Sequence, residues 1–296
     1  MTTINPFIRN VTVLVGPFTE DVPPGPENQA LRIFSDGSRN TLRVSFNVSK
    51  TAQSAANNIN IEIYNLSERS RQRISQRKTR VKLIVGWANT PPVLLAQGGV
   101  FNAVSRKEGG DIITQLTVLD GFEGMRQGVI NRTFGPRTAV AGIVEVLRQN
   151  LPGVALGAIQ VTGVVGSGGL TLSARAADAL DQLADQYGFT WSIQNGALFA
   201  LQDGQALGRT HTLSAANKTL LKVFPLLEGS EQNNLRVKAD ALLDPRIAPL
   251  NQVDIQSDVT PDISGVYKAT NCDYDGDTGG DTWQMSVEGI LLRDRA

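Results

Sequence analysis

Reactive side chains are nearly missing from this 296-residue chain, which holds one histidine, His211, and one cysteine, Cys272. A single thiol excludes any disulfide within the chain. One Cys and one His cannot supply a Cys/His zinc site or a two-histidine carboxylate triad. A surplus of one charge is missing too, because 28 Lys and Arg stand against 28 Asp and Glu. That balance removes the basic excess with which nucleic-acid binders neutralise phosphates, and with it broad electrostatic binding to DNA or to an anionic membrane. It also leaves little repulsion between copies, which favours association. Long hydrophobic runs are absent as well. Residues 1–10 lack a basic segment followed by an apolar one, and no later segment approaches the roughly 18 apolar residues of a membrane span. These absences imply a soluble chain made in a reducing cytoplasm, with length for one large or two to three ordinary domains.

What is present is alternation. Leu42, Val44, Phe46 and Val48 alternate with Arg43, Ser45, Asn47 and Ser49, a period of two that buries one face of an antiparallel strand. Ile59, Ile61 and Ile63 repeat it, as do Val81, Leu83 and Val85 and, earlier, Val11, Val13 and Val15. Ser67 is a plausible N-cap with Glu68 in the first turn, so a short helix is expected from about Glu68 to Gln76. Val93 to Asp120 reads as two strands split by the polar turn 107–111. Several strands with one brief helix suggest a barrel or sandwich.

Past Gly128 to Pro136 the period changes. Ala139, Val140, Ile143, Val144 and Leu147 follow helical spacing until Leu151-Pro152-Gly153, and a second helix is expected from about Ser173 to Tyr187, stopped by Gly188. Phe189, Trp191 and Ile193 then meet Ala197, Phe199 and Leu201 across Asn195-Gly196, a strong hairpin signal. After Gly204 β character returns, with strands expected around Leu235 and Val237, Val253 and Ile255, Val266 to Ala269, and Trp283 to Val287. The expected fold class is mainly β with an α+β insertion. The division is 1–130 for a first β-domain, 131–210 for the insertion and 211–296 for a second β-domain.

Motifs with chemical potential are few. Gly166-Ser167-Gly168-Gly169 lacks the Gly-Lys-Ser/Thr of a phosphate loop and the third glycine of a dinucleotide site, and reads as a turn. Asp273, Asp275, Asp277 and Asp281 are the densest carboxylates, but counting an EF-hand from Asp273 puts Thr278 at the glycine position and Gln284 at the bidentate one. Asp and Gly are also what a hairpin tip selects, and whether this turn holds an ion stays open. Cys272 and His211 lie about sixty residues apart with no element to lower the thiol pKa, so a small residue within a strand is the simpler reading. A hydrolase built on paired carboxylates has no specific motif here. Arg69, Arg73, Arg77 and Arg80 recur at spacings of four, four and three. This basic stripe reads either as a solvated face or as a contact for an acidic protein partner.

Two stretches carry a family resemblance. Residues 42–51, then Asn57 to Asn60, then Ile61-Glu62-Ile63-Tyr64-Asn65-Leu66-Ser67 and Arg71, resemble the opening of baseplate hub proteins of contractile-tailed phages. Residues 241–247, Val253-Asp254-Ile255, Gly265-Val266-Tyr267-Lys268-Ala269, Asp275-Gly276-Asp277, Trp283 and Glu288-Gly289 are similar to the closing barrel of the tail hub and late-control D group. That group often has a His just before the Gly-Asp turn, where this chain reads Asn271-Cys272-Asp273-Tyr274. The resemblance implies two tail-tube-like β-barrels per chain and a homotrimer whose six barrels adapt a sixfold tail tube to a threefold spike. Implied partners are the spike protein, tail tube or tube-initiator proteins, the tape-measure protein and other baseplate proteins. Specific nucleic-acid binding and stable membrane insertion are not expected, nor are enzymatic activity, catalytic residues, cofactors or metals. The implied location is the virion tail baseplate, assembled in the host cytoplasm. The alternatives are another tail-tip or tube component, a tail-associated cell-wall hydrolase, or the same hub in a phage-derived injection system.

Overall fold

Alternating burial builds most of the first third, in a computed structural model that describes residues 9–16, 30–74, 79–87, 90–226 and 235–292. Strands β1 (Arg9–Gly16), β3 (Val44–Thr51), β4 (Asn57–Tyr64) and β5 (Arg80–Trp87) bury alternate side chains, as their apolar period of two requires. β2 (Leu31–Ser35) is an additional strand paired to β1. Helix α1 (Glu68–Ile74) is the expected short helix in its described part; residues 75–76 lie outside the described residues. β6 (Val93–Glu108) and β7 (Asp111–Asp120) form the expected hairpin across Gly109 and Gly110.

The middle of the chain holds α2 (Phe122–Gln127), β8 (Val129–Phe134), α3 (Val140–Gln149), β9 (Ala155–Gln160), β10 (Leu170–Arg175), α4 (Ala176–Tyr187), β11 (Phe189–Gln194) and β12 (Ala197–Gln202). Helix α4 starts three residues later than the spacing suggests, because Ser173, Ala174 and Arg175 pair with β8 instead. It ends at Gly188, whose φ of 64° is the left-handed conformation of a C-terminal cap. β11 and β12 close on Asn195 and Gly196, with φ of 52° and 75°, as a two-residue hairpin turn with two positive φ angles demands.

The last third holds β13 (Leu207–Ser214), β14 (Leu220–Leu226), β15 (Arg236–Leu242), β16 (Asn251–Gln256), β17 (Gly265–Asp277) and β18 (Trp283–Leu291). The last four are the expected strands. β13 and β14 escape a search for alternation, because β14 leaves Leu221 and Phe224 exposed.

The chain is mainly β. One large sheet runs β14-β15-β18-β17-β3-β4-β7-β6-β5-β1-β2, with β13 attached to β16 and β16 to β17. The order repeats. In the first half β3, β4, β7, β6 and β5 are successive neighbours; in the second half β14, β15, β18, β17 and β16 are neighbours in the same sequence. β6 and β17 are the long members, and each has a register break, at Phe101 and at Thr270. Before the break each pairs with the strand that precedes it in the chain, β5 or β16. Beyond it, β17 pairs with β3, and this seam joins the halves. A single apolar core, from Val11 and Ile61 to Tyr267 and Val287, lies beneath the sheet.

The middle elements have their own core, including Ile143, Leu147, Leu180, Leu183, Trp191 and Leu198, with two small sheets, β8-β10 and β9-β12-β11. Trp191 Nε1 donates to Asp181 Oδ1 at 2.9 Å, satisfying the indole inside that core. Among the described residues no helix is long and apolar enough to cross a membrane.

Candidate functional site

Residues opposite each other in an antiparallel ladder project from the same face of the sheet. The registers therefore define rows across the seam. One row is Gln284, Asp275, Asn47, Asn60, Thr117 and Asn102, on β18, β17, β3, β4, β7 and β6. The next row is Ser286, Asp273, Ser49 and Asn58. Residues between these, such as Phe46, Val48, Ile59, Ile61, Leu116 and Tyr274, are buried in the core. The result is a polar face about 24 Å across six strands, made of short amides, hydroxyls and carboxylates.

Hydrogen bonds tie this face together, Asn47 Nδ2 to Asp275 Oδ1 at 2.7 Å and Thr117 Oγ1 to Asn60 Oδ1 at 3.3 Å. Arg43 and Arg106 stand at one end, in ion pairs with Asp277 at 2.6 Å and Glu62 at 2.9 Å. The hydrogen bond from Arg43 holds its own guanidinium pKa above the usual value. Such a surface offers a polyanion no unpaired lysine row and a polypeptide only scattered apolar side chains, Leu119 beside Asn58 and Val104 at the β6 edge. It is suited to contact without retention.

A second polar feature is buried. The inward-facing positions of β3 and β4 are apolar, and those of β7 are Thr114, Leu116 and Val118, up to the last position of each series, where Lys50, Asn57 and Asp120 stand, all buried. The Asn-Gly hairpin of the insertion sits on them. Lys50 Nζ donates to Asn195 Oδ1 at 2.9 Å, and the Gly196 N–H donates to Asp120 Oδ1 at 2.9 Å. Asn57 Nδ2 donates to the Ile193 carbonyl at 2.8 Å, and Gln194 Nε2 returns a bond to the Thr51 carbonyl at 2.6 Å. Gln97 Nε2 donates to the Asn195 carbonyl. Burial pushes the Lys50 ammonium pKa down to about 8, opposed by the nearby Asp120 charge. Burial pushes Asp120 up to about 6, opposed by Lys50. These residues escape motif searches, yet each has a signal, since a polar residue continues an otherwise apolar inward series.

The acidic run is only partly a hairpin tip: Asp273 and Asp275 lie within β17, Asp277 ends it, and Asp281 sits in the turn to β18. Asp277 pairs with Arg43 and accepts the Gly279 N–H at 2.8 Å. Thr278 bridges strands of the first half, donating its N–H to the Val44 carbonyl at 3.0 Å, while its Oγ1 accepts from the Val44 N–H at 2.9 Å and from Ser35 Oγ at 2.7 Å. Four carbonyls of the tip, of Asp277, Gly280, Asp281 and Thr282, converge on a cation supplied by the chain itself. Arg9 Nη1 and Nη2 reach them at 2.6 to 3.2 Å, with the guanidinium carbon 5.5 Å from the Trp283 ring centroid. Among the described residues no three His, Cys, Asp or Glu side chains gather as metal ligands would.

The other sequence candidates are dispersed. Arg69 and Arg73 lie one turn apart on α1, Arg80 opens β5 opposite Gly99, and Arg77 lies outside the described residues. Cys272 is fully buried, and burial pushes its thiol up to about 12, away from nucleophilic use. His211 is on β13, opposite Val253. Gly166 to Gly169 form a turn closed by the Gly169 N–H on the Gly166 carbonyl at 3.1 Å. A cleft of about 1120 Å³ between the insertion and the second half has one carboxylate in its lining, Asp203, beside Arg236 and Lys268.

No family model matches the chain, and no curated protein matches it by sequence. Solved structures do match its fold. A tail protein from Neisseria meningitidis MC58 aligns at a TM-score of 0.65 and 10% identity, covering 97% of both chains. The 43 kDa tail protein of prophage MuSo2 from Shewanella oneidensis aligns at 0.64 and 7% identity, covering 96% of both. The E. coli c3393 protein, a type VI secretion component described as structurally similar to the phage T4 tail proteins gp27 and gp5, aligns at 0.60 and 11% identity, over 86% of this chain and 74% of that one. The architecture is thus a fold shared by phage tail proteins and a type VI secretion component.

Proposed function

We propose that the chain is a non-catalytic structural component of a contractile tail, specifically its baseplate hub: a trimeric ring that adapts a sixfold tube to a threefold spike and surrounds the channel for DNA and tape-measure protein. The observation that carries this reading is the repeated strand order, in which β3-β4-β7-β6-β5 and β14-β15-β18-β17-β16 are two similar units joined in one wall. Three chains then present six similar units, which matches a sixfold tube on one side and threefold symmetry on the other. A tube subunit with one unit per chain would form a sixfold ring, so the doubling favours the hub over the tube reading.

The division into 1–130, 131–210 and 211–296 belongs to this proposal; its two boundaries fall within β8 and β13. Its partners are the spike, the tube or tube initiator, the tape-measure protein and other baseplate proteins, and its place is the virion tail. The same hub serves a phage-derived injection system. Arg69, Arg73, Arg77 and Arg80 form the proposed contact for an acidic baseplate partner. The polar face of the wall supports the channel role, because a sliding polyanion is not retained where the exposed cations, Arg43 and Arg106, are already paired with Asp277 and Glu62.

Light scattering at high protein concentration tests the reading, with a mass near three times 31.8 kDa expected. A monomer at all concentrations, or a sixfold ring in electron micrographs, contradicts it. Clearing of peptidoglycan in a zymogram, lost on a single Asp or Glu substitution, would overturn the non-catalytic part.

A further inference from the structure

The polar floor brings an amine, a primary amide and a carboxyl group into one buried place. An ammonium carries three donors, and in a buried site each donor left without a partner is costly. Lys50 is 3% exposed, and among the described residues its one hydrogen bond is the 2.9 Å contact to Asn195 Oδ1. The neutral amine suits that place better, with one donor for Asn195 and a lone pair left on nitrogen. Burial acts in the same direction, drawing the Lys50 pKa down to about 8. Asp120 has the complementary shortage. Its Oδ1 accepts the Gly196 N–H, while its Oδ2 is buried with no hydrogen-bond partner. An oxygen so placed is disfavoured as part of an anion and favoured as an O–H, and burial raises this carboxyl to about 6.

The geometry among the three is that of a reaction held ready. With a C=O bond of about 1.23 Å, the Asn195 side-chain carbon lies within about 4 Å of Lys50 Nζ, and a rotation of the amide brings it to the roughly 3–3.5 Å of reacting atoms. The backbone around Asn195 is fixed on both sides, by Gln97 Nε2 on its carbonyl and by the Gly196 N–H on Asp120. Asn195 is itself only half-buried, which gives a small leaving group a way out. A desolvated lysine beside a carbonyl carbon is an activated nucleophile, and the charges of Lys50 and Asp120 are close enough to act on each other.

We propose that Lys50 and Asn195 join in an isopeptide bond, with Asp120 relaying the protons, so that the insertion is stapled covalently to the first half. Neutral Lys50 Nζ attacks the Asn195 side-chain carbon, and the C=O π pair moves onto Oδ1. Asp120 takes a proton from Nζ and delivers one to Nδ2. The C–Nδ2 bond then breaks as the C=O re-forms, and ammonia leaves. One amine and one primary amide give one secondary amide and one ammonia, with no oxidant, reductant or co-reactant. The event happens once per chain and is not turnover, and it stands or falls independently of the hub reading. The bond removes the buried Lys50 charge and closes a loop of 145 residues, which keeps the hairpin on the floor when its hydrogen bonds open.

Tryptic peptide mapping by mass spectrometry, on the full chain held in mildly alkaline buffer, tests the bond. Unreacted protein is cut after Lys50 and yields 44–50, 51–69 and 176–209 as separate peptides. Joined protein resists that cut and yields 44–69 attached to 176–209, lighter than the two together by one ammonia. The joined species is expected from the wild type and is lost entirely in Lys50→Met. Asp120→Asn keeps an oxygen for the Gly196 N–H, and is expected to lower the joined yield at least tenfold while hydrogen exchange shows the hairpin still docked. Separate, unmodified peptides from the wild type overturn the proposal. Loss of ammonia within 176–209 alone overturns it too, since that is the succinimide Asn195-Gly196 forms without Lys50. A joined yield in Asp120→Asn equal to the wild type overturns the role of Asp120. The wild-type map decides the bond itself even if the variants fail to fold.

Discussion

The two halves of the body share one strand order, but their long strands differ beyond the bulge. In β17 the segment Asn271–Asp277 alternates between buried and half-buried residues, with Cys272 and Tyr274 fully enclosed between β18 and β3. In β6 residues 102–108 are exposed on nearly every side chain. The halves also differ at the end of the inward series. Asn57 and Asp120 hold the insertion through its hairpin tip, whereas the corresponding positions of β15 and β18 are Leu235 and Leu291, joined by the Leu291 N–H on the Leu235 carbonyl. One architecture is thus specialised at two places, a seam that is covered in one half and bare in the other, and a polar floor that only the first half has.

The largest test of this contrast is steric. A Cβ at Gly276 would lie 2.3 Å from Phe46 Cζ, so Gly276→Val is expected to cost about 3 kcal/mol or more, or to prevent folding. Lys107 occupies the matching place in β6, and Lys107→Val is expected to leave the thermal melt of the monomer unchanged. Equal losses would break the comparison. Next is the hairpin tip that locks the second half onto the first. Arg9→Ala removes charge-assisted bonds to four carbonyls and is expected to cost about 2 kcal/mol in denaturant unfolding, whereas Arg106→Ala, on the bare edge, leaves monomer stability unchanged.

At the polar floor, Gly196→Ala places a side chain at φ +75°, with its Cβ 2.8 Å from Gln97 Nε2. A loss of about 1–2 kcal/mol is expected, with the insertion hairpin gaining hydrogen exchange before the sheet does. The smallest effect is a pH signature. Folded Asp120 keeps its proton up to about pH 6, so the stability it contributes is present in acid and is lost as pH rises through that value. Folded Lys50 loses its proton near pH 8, so its contribution is present in alkali and is lost as pH falls through that value. Before Lys50 and Asn195 join, the wild type is expected to be least stable, relative to Lys50→Met with Asp120→Leu, between pH 6 and 8. A difference in Tm that is flat with pH contradicts this.

Much of the fold is legible in the sequence because alternation is local. Val44, Phe46 and Val48 announce β3, and Asn195-Gly196 announces the hairpin that the insertion uses to dock. The seam is not legible. A period of two says which face of β17 is buried but not that its neighbour is β3, more than two hundred residues earlier. β14 hides for the related reason that its exposed Leu221 and Phe224 break the pattern. Lys50 and Asp120 are visible as polar residues ending apolar series, but their meeting with Asn195 and Gly196 depends on how the insertion folds back. The acidic turn reads as a hairpin from its Asp and Gly content, whereas the Arg9 guanidinium seated on it comes from the other end of the chain.

Amide hydrogen exchange, followed residue by residue in a preparation diluted until its mass is that of the monomer, tests the central claim most directly. If the seam is covered in one half and bare in the other, Asn271–Asp277 will be protected while the outward amides of residues 102–108 exchange rapidly. Protection of 102–108 to the level of 271–277 in that same preparation would show that the two long strands are alike, and would contradict the account.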